Sequence, residues 1–462
     1  MSNVTAAPLA ATGDAVPEGH LSDGPEPLTG LYNTYAMTLL LSLYMVNFLD
    51  RQVVNILAEP IKRDLGLADW QLGLLTGLSF ALLYSILGIP IAWLAERRSR
   101  PVIIGMSATI WSVFTIVCAF TQNFAQLVLA RVGVGVGEAG CTPAAQSLIM
   151  DYAKPEKRSS ALAYYGIGAP LGGLLGMAFG GLVADAYGWR KAFLIAGLPG
   201  LALGALAAFT LREPRRKLAV HPQQAKSEAA GFRETLRALV GRPAYVRWVL
   251  GVTMMSVVVY GMPSFFGSFY LRNHGPALEN LARTVGAATG MNLGAIGVLG
   301  LSLGLIMGAA GVSGMWLGGQ LADRYGRGEP RRYLRGVIMA TALGVPLMVG
   351  VLTAPTLGLS FVFLAAKGFV WSVWYGPAYA AGFSVVPRNM RAVSSALALF
   401  VNNLIGAGLA PVAVGVVSDL IGAHMGAAEG LRWSMALFSL CGFISSAIFY
   451  TASRSIEAEA EK

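Results

Sequence analysis

At 462 residues, with 55% hydrophobic and only 13% charged side chains, the chain has too little charge to clothe a water-soluble surface. Soluble domains are charged at about a quarter of their positions. The net charge of +10 then reads as basic loops flanking membrane spans and not as a nucleic-acid footprint, so a polytopic helical membrane protein remains.

Residues 1 to 32 are rich in Ala, Pro, Gly, Asp and Glu and hold no Lys or Arg, which predicts a disordered cytoplasmic tail and not a signal peptide. Apolar runs of about twenty residues follow, each long enough as a helix to cross ~30 Å of hydrocarbon. They predict spans at 34–58, 69–94, 101–121, 124–150, 159–183 and 190–211, and then at 246–271, 291–320, 333–353, 356–385, 392–420 and 431–452. The fold class is therefore all-α: twelve transmembrane helices in two six-helix halves. Residues 33–211 form the N-terminal half, 212–245 a cytoplasmic linker with a short surface helix over 231–240, 246–453 the C-terminal half, and 454–462 a cytoplasmic tail.

Small residues let membrane helices approach closely. Gly133, Gly135, Gly137, Gly172, Gly173 and Gly176 are expected at such contacts. Basic residues cluster in the loops on the side of the termini, among them Arg97, Arg98, Arg100, Arg331, Arg332 and Arg335, and are sparser on the other side. The bias places both termini in the cytoplasm and the protein in a plasma or inner membrane.

No catalytic chemistry is predicted. Cys118, Cys141 and Cys441 are isolated within spans and read as packing residues. His20, His221, His274 and His424 lie in tails and loops with no metal-ligand spacing, so neither a metal nor a cofactor is expected. A P-loop and H-E-x-x-H are both missing from the sequence, which argues against an ATP-driven pump and against a zinc-dependent membrane enzyme.

The chain repeats itself. Ala92-Trp-Leu-Ala-Glu96-Arg97-Arg-Ser99 follows span two and Gly319-Gln-Leu-Ala-Asp323-Arg324-Tyr-Gly follows span eight. Spans five and eleven open on related segments, after Pro155 and Pro387, and both finish near an acid, Asp185 and Asp419. Two six-helix halves in parallel order are expected to rock about a midplane site.

These motifs resemble the major facilitator superfamily, whose pattern after span two is G-x-L-A-D-R-x-G-R-R. Residues 319–328 match it well, whereas Ala92, Glu96 and Ser99 depart from it. Residues 168–173 are similar to the family's antiporter motif, with Ala169 in place of its usual Gly. The resemblance implies that Glu96 with Arg97, and Asp323 with Arg324, latch the cytoplasmic gate.

Within that superfamily, Asn47-Phe-Leu-Asp50-Arg51 in span one and Arg131 through Glu138 in span four resemble the spinster branch. That resemblance implies an amphiphilic anionic substrate of the lysolipid or sphingoid-phosphate type. Four ionisable residues in two spans are too costly to face lipid. Arg131 and Glu138 are seven apart and share a face of span four, so Asp50, Arg51, Arg131 and Glu138 can form one cluster.

Two roles stand open for it. As packing devices, Asp50 with Arg131 and Arg51 with Glu138 are interhelical ion pairs. As functional groups, the arginines hold an anionic headgroup and a carboxyl group carries the coupling proton, Glu138 first and Asp50 second. In the C-terminal half, Lys367, Tyr375, Asn402, Asn403 and Phe266 are secondary cavity candidates, and the aromatic residues of spans seven and ten suit an acyl chain or simple packing. Partners are then the substrate, protons and membrane lipid, with no nucleic acid, and a monomer suffices for the pathway. A carrier of a small hydrophilic organic anion or drug is the rival reading; a non-transporting sensor or a lipid scramblase is the reading from another class.

Overall fold

The computed structural model describes residues 30–154, 157–214, 232–321, 324, 330–384, 386 and 390–460, and every regular element among them is helical. In the N-terminal half, α1 (Gly30–Leu65) is 36 residues long. At 1.5 Å per residue it spans about 54 Å, which carries it past the expected 34–58 at both ends. A five-residue helix, α2 (Asp69–Gly73), continues through a π-helical turn at Leu74–Leu78 into α3 (Ser79–Arg97), and together they make span two. Next come α4 (Arg100–Cys118), then α5 (Phe124–Glu138) and α6 (Cys141–Tyr152) as the two pieces of span four.

Spans five and six are continuous. After α7 (Arg158–Gly166), α8 (Gly168–Thr210) runs through both and bends at Gly188, whose φ of 82° lies in the left-handed region. Glycine alone adopts that conformation at no steric cost, so the turn between the two spans shrinks to a single residue.

The C-terminal half repeats the plan. After α9 (Phe232–Val240), α10 (Pro243–Ser256) passes through a π-helical turn at Val257–Gly261 into α11 (Pro263–Asn273), making span seven. Then follow α12 (Gly275–Thr289), α13 (Ala295–Leu321), α14 (Pro330–Thr353), and α15 (Leu357–Ser372) with α16 (Tyr375–Ser384) as span ten. Span eleven is α17 (Arg391–Asn402), a π-helical stretch Asn403–Leu409 and α18 (Ala410–Met425); span twelve is α19 (Ala427–Ser439) with α20 (Cys441–Ala460).

Ten described runs are long and apolar enough to cross a membrane. One of them, Ser160–Thr210, crosses twice by turning at Gly188, and α1, with Asp50 and Arg51 in its middle, supplies the remaining crossing. The result is the twelve-helix architecture expected from the sequence. Half of the expected linker, 215–231, lies outside the described residues.

One helix departs from the sequence expectation. The hydropathy pattern treats 272–290 as a loop, but α12 occupies it, with Pro276 in its first turn, Gly290 at φ 71° as its left-handed C-cap, and Leu278 and Ala282 buried one turn apart. Pro at the start and Gly just past the end are the usual helix punctuation, so the signal was present.

The halves meet along two seams related by the internal repeat. In one, span five lies on span eight, where a Cβ on Gly300 would come within 2.2 Å of the Met177 carbonyl oxygen. In the other, span two lies on span eleven, where a Cβ on Gly73 would meet the Pro411 carbonyl oxygen at 2.1 Å. Small residues permit this backbone approach without a water-driven hydrophobic effect. Within the N-terminal half, Gly172 packs on Met45 in the same manner, whereas at Gly173 the nearest atom is an ordinary 4.0 Å away. Gly173 is therefore not a close-packing position.

Candidate functional site

The cluster assembles where α1 meets α4 and α5. Arg51 donates from Nε and Nη2 to the same Glu138 oxygen, Oε2, at 2.7 Å each. Glu138 is fully buried, while 23% of the Arg51 side chain remains accessible. The guanidinium also lies 4.5 Å from the Phe80 ring centre and 4.8 Å from that of Tyr84, contacts that favour a cation by about 0.5–2 kcal/mol each. Arg51 and Glu138 thus form a charge-assisted pair at the edge of open space.

Asp50 and Arg131 are arranged otherwise. Asp50 is buried, and its Oδ2 accepts from Thr115 Oγ1 at 3.1 Å. Arg131 lies 5.7 Å from the Phe80 ring centre. Asp50 Oδ1, Glu138 Oε1, Arg131 Nε and Nη1, and both amide atoms of Asn47 are buried with no hydrogen-bond partner among the described residues. Neither Thr115 nor Asn47 is among the site residues expected from sequence. Thr115 is a polar residue in a strongly apolar helix, and Asn47 belongs to the motif that contains Asp50.

On the opposite wall, residues of spans seven, eight, ten and eleven enclose a cavity of about 340 Å³. Its lining includes Tyr260, Lys367, Trp371, Tyr375, Asn402 and Asn403. The size lies at the lower end of the range for small-molecule sites. Asn402 accepts from Thr253 Oγ1 at 3.0 Å and donates to the Tyr379 hydroxyl at 3.3 Å. Phe266 does not line the cavity; it is fully buried, with its ring centre 4.8 Å from Lys367 Nζ. The aromatic residues therefore divide: Phe265, Phe266 and Phe269 pack inside, while Tyr260 and Tyr375 are 46% and 42% exposed.

At the end of the bundle distal to the chain termini, the halves are bonded together. Arg272 of α11 donates to Glu59 of α1 at 2.7 Å and to both oxygens of Asp69 at 2.7 and 2.8 Å. Asp69 also accepts from Lys62 at 2.5 Å and from Ser418 at 2.6 Å. The acids that end spans five and eleven play matching parts. Asp185 accepts from the Gly297 N–H at 2.5 Å near the start of α13, and Asp419 accepts from the Asp69 and Trp70 N–H groups at 2.9 Å each. Each binds the N-terminus of a helix in the other half, where free N–H groups and the helix dipole favour an anion.

The residues expected at the cytoplasmic gate are only partly visible. Glu96 and Arg97 lie in the last turn of α3, and the Arg97 guanidinium covers the Trp93 ring at 3.7 Å. Asp323 lies outside the described residues, and Arg324 is exposed. At the same end a buried Arg100 donates to Glu213 at 2.5 Å and to the Ser147 carbonyl at 3.0 Å, and pairs with Asp151 at 2.6 Å. That network ties α4 to α6 and to the chain just beyond α8 within one half.

Comparison with known proteins agrees with this architecture. The family model for the Major Facilitator Superfamily matches residues 40–411. An MFS-type efflux pump of Mycolicibacterium smegmatis is 32% identical over 88% of this chain and 90% of its own length. Protein spinster of Drosophila melanogaster is 25% identical over 85% of this chain and 63% of its own. Among solved structures, a bacterial homolog of the human lysosomal transporter Spinster, in an inward-facing and unoccupied conformation, superposes with a TM-score of 0.81 at 29% identity, covering 94% of this chain and 99% of that one. The chain belongs to the Major Facilitator Superfamily and is a spinster-like bacterial transporter, not an enzyme.

Proposed function

We propose that the protein moves an amphiphilic anion, of the lysolipid or sphingoid-phosphate type, by alternating access, and that Glu138 carries the coupling proton. The observation that carries this reading is the buried Glu138 carboxylate held 2.7 Å from Arg51, whose side chain keeps 23% of its surface accessible. With Glu138 ionised, Arg51 is held against α5. With Glu138 protonated, the charge-assisted pair is lost and Arg51 turns to the cavity. One proton thereby changes the charge and shape of the pathway. Asp50 is the second carboxyl group of the relay, buried in the same cluster and bonded to Thr115.

The bonded distal end corresponds to the extracellular side, with both termini cytoplasmic as the basic loops require. The arrangement then supports an inward-facing state, in line with the conformation of the structural relative. A single chain holds the whole pathway, which favours function as a monomer in the inner membrane. A small hydrophilic organic anion or drug is the second reading. It is favoured by the modest cavity of about 340 Å³ and by the efflux pump among the relatives.

The test is uptake of labelled lysophosphatidate into proteoliposomes, with and without an imposed pH gradient. Saturable uptake that responds to the gradient in wild type but not in Glu138→Gln supports the reading. Saturable uptake unaffected by the gradient in both proteins removes proton coupling. No flux above empty liposomes, with folded protein, removes the lysolipid.

A further inference from the structure

The charges along the pathway do not balance between the halves. In the N-terminal half two carboxyl groups stand with two guanidiniums, Asp50 and Glu138 with Arg51 and Arg131. In the C-terminal half Lys367 is the one charged side chain of the cavity lining among the described residues. It has no ion pair and no hydrogen bond among the described residues, and 95% of it is buried, with 5% accessible.

Lys367 lies ten residues into α15, about 15 Å from the helix start. That is half of the ~30 Å hydrocarbon core, too deep for the side chain to reach the membrane surface by extending along the helix. Its ammonium rests 4.8 Å from the Phe266 ring centre and 4.5 Å from that of Trp371. The two aromatic faces contribute about 0.5–2 kcal/mol each, which offsets much of the roughly 2.5–3.5 kcal/mol that a central lysine costs on insertion scales but supplies no counter-charge. The position therefore suits an anion.

We infer that Lys367 is the anchor for the substrate's anionic group, in the C-terminal half, with Asn403 in the same lining for the adjoining polar atoms and Met307 and Met315 of span eight along the apolar remainder. This deepens the proposed function and rests on the reading of the substrate as an amphiphilic anion. It separates two tasks that the sequence pattern assigns together to the cluster: the N-terminal half exchanges the proton, and the C-terminal half holds the charge of the cargo. Arg51, already bonded through two nitrogens to Glu138, is not the first cation an entering anion meets.

The experiment is binding to purified protein, followed by tryptophan fluorescence from the cavity residues Trp371 and Trp374, in wild type, Lys367→Gln and Lys367→Arg. Three probes are compared: 1-oleoyl lysophosphatidate, monooleoylglycerol as the uncharged analogue, and galacturonate as a small anion. Lys367→Gln is expected to weaken lysophosphatidate by roughly tenfold or more, the scale of a lost charge-assisted contact. Monooleoylglycerol binding stays unchanged in that variant, which also reports that it is folded. Lys367→Arg is expected to bind lysophosphatidate within a few-fold of wild type.

Unchanged lysophosphatidate binding in Lys367→Gln, or equal weakening of both lipids, overturns the anchor while leaving the proposed transport function intact. Wild type that ignores lysophosphatidate but binds galacturonate through Lys367 keeps the anchor and removes the lysolipid. Wild type that binds neither anion overturns both.

Discussion

Two regions of the molecule bury arginine against carboxylate, and they are finished differently. At the distal end Arg272 reaches two acids, and Asp69 accepts from Arg272, Lys62 and Ser418. At the centre, Asp50, Glu138, Arg131 and Asn47 all keep buried polar atoms without partners among the described residues. The distal network joins the two halves, whereas the central cluster lies within one. A saturated network has one preferred arrangement and holds a conformation. An unsaturated one leaves buried polar atoms at a cost, so a rearrangement or a proton that supplies a missing partner is favoured there.

The largest expected effect attacks the saturated side. Arg272→Ala leaves Glu59 and Asp69 buried without their shared cation. Breaking such a pair costs about 3–5 kcal/mol, so the distally closed population falls by about a hundredfold or more. Spin-label distances across the distal end are expected to lengthen, and an unchanged distribution would mean that the seam does not depend on this network.

Glu138→Gln attacks the other side. It leaves Arg51 with a neutral partner at a cost of about 1–3 kcal/mol, which lowers the melting temperature, and it removes the response of uptake to a pH gradient. The distal distances are expected to remain those of wild type. Lengthened distances in this variant would erase the distinction between the two regions.

Smaller effects come from the two helix caps. Asp185→Asn and Asp419→Asn each weaken an anionic cap worth about 0.5–2 kcal/mol. Each should shift the distal equilibrium several-fold toward the open form, and because the two caps lie on different seams their effects should add in the double variant. Strong non-additivity, read from the same spin-label distances, would show that the seams open as one unit.

The smallest effect belongs to Asp64, paired with Arg190 at the same end but with both side chains more than 40% exposed. The hydrogen bond from Arg190 holds the Asp64 carboxyl below its ordinary value of 3.8. A depressed folded-state value means that the pair's stabilisation is present above pH 3.8 and is lost as the pH falls through the folded-state value. Asp64→Asn should cost about 0–1 kcal/mol at neutral pH, less in high salt, and nothing once the pH lies below both values. A melting curve that responds as strongly as that of Arg272→Ala would mean that burial does not set the strength of these pairs.

The fold was legible because span length, basic loops and the internal repeat are one-dimensional signals. Asp185 and Asp419 could even be recognised as repeat partners before any contact was known. That each caps a helix of the opposite half could not be read, because it depends on three-dimensional approach across a seam. The meeting of Arg51 and Glu138 was within reach, since the heptad spacing of Arg131 and Glu138 fixes a face of span four. Asp50 turning to Thr115 was not, because nothing in sequence places α4 beside the middle of α1. Lys367 was one of the secondary cavity candidates in sequence, and only the structure shows that no carboxylate among the described residues comes to meet it.

The central claim is that the unsaturated cluster exchanges the proton while the saturated seam holds the conformation. The most direct measurement is proton release or uptake on addition of lysophosphatidate to purified protein in weakly buffered solution, read with a pH indicator in wild type, Glu138→Gln and Asp419→Asn. The expected result is a substrate-linked proton signal in wild type and in Asp419→Asn, and none in Glu138→Gln. A signal that survives in Glu138→Gln and vanishes in Asp419→Asn would place the proton at the seam and contradict the account.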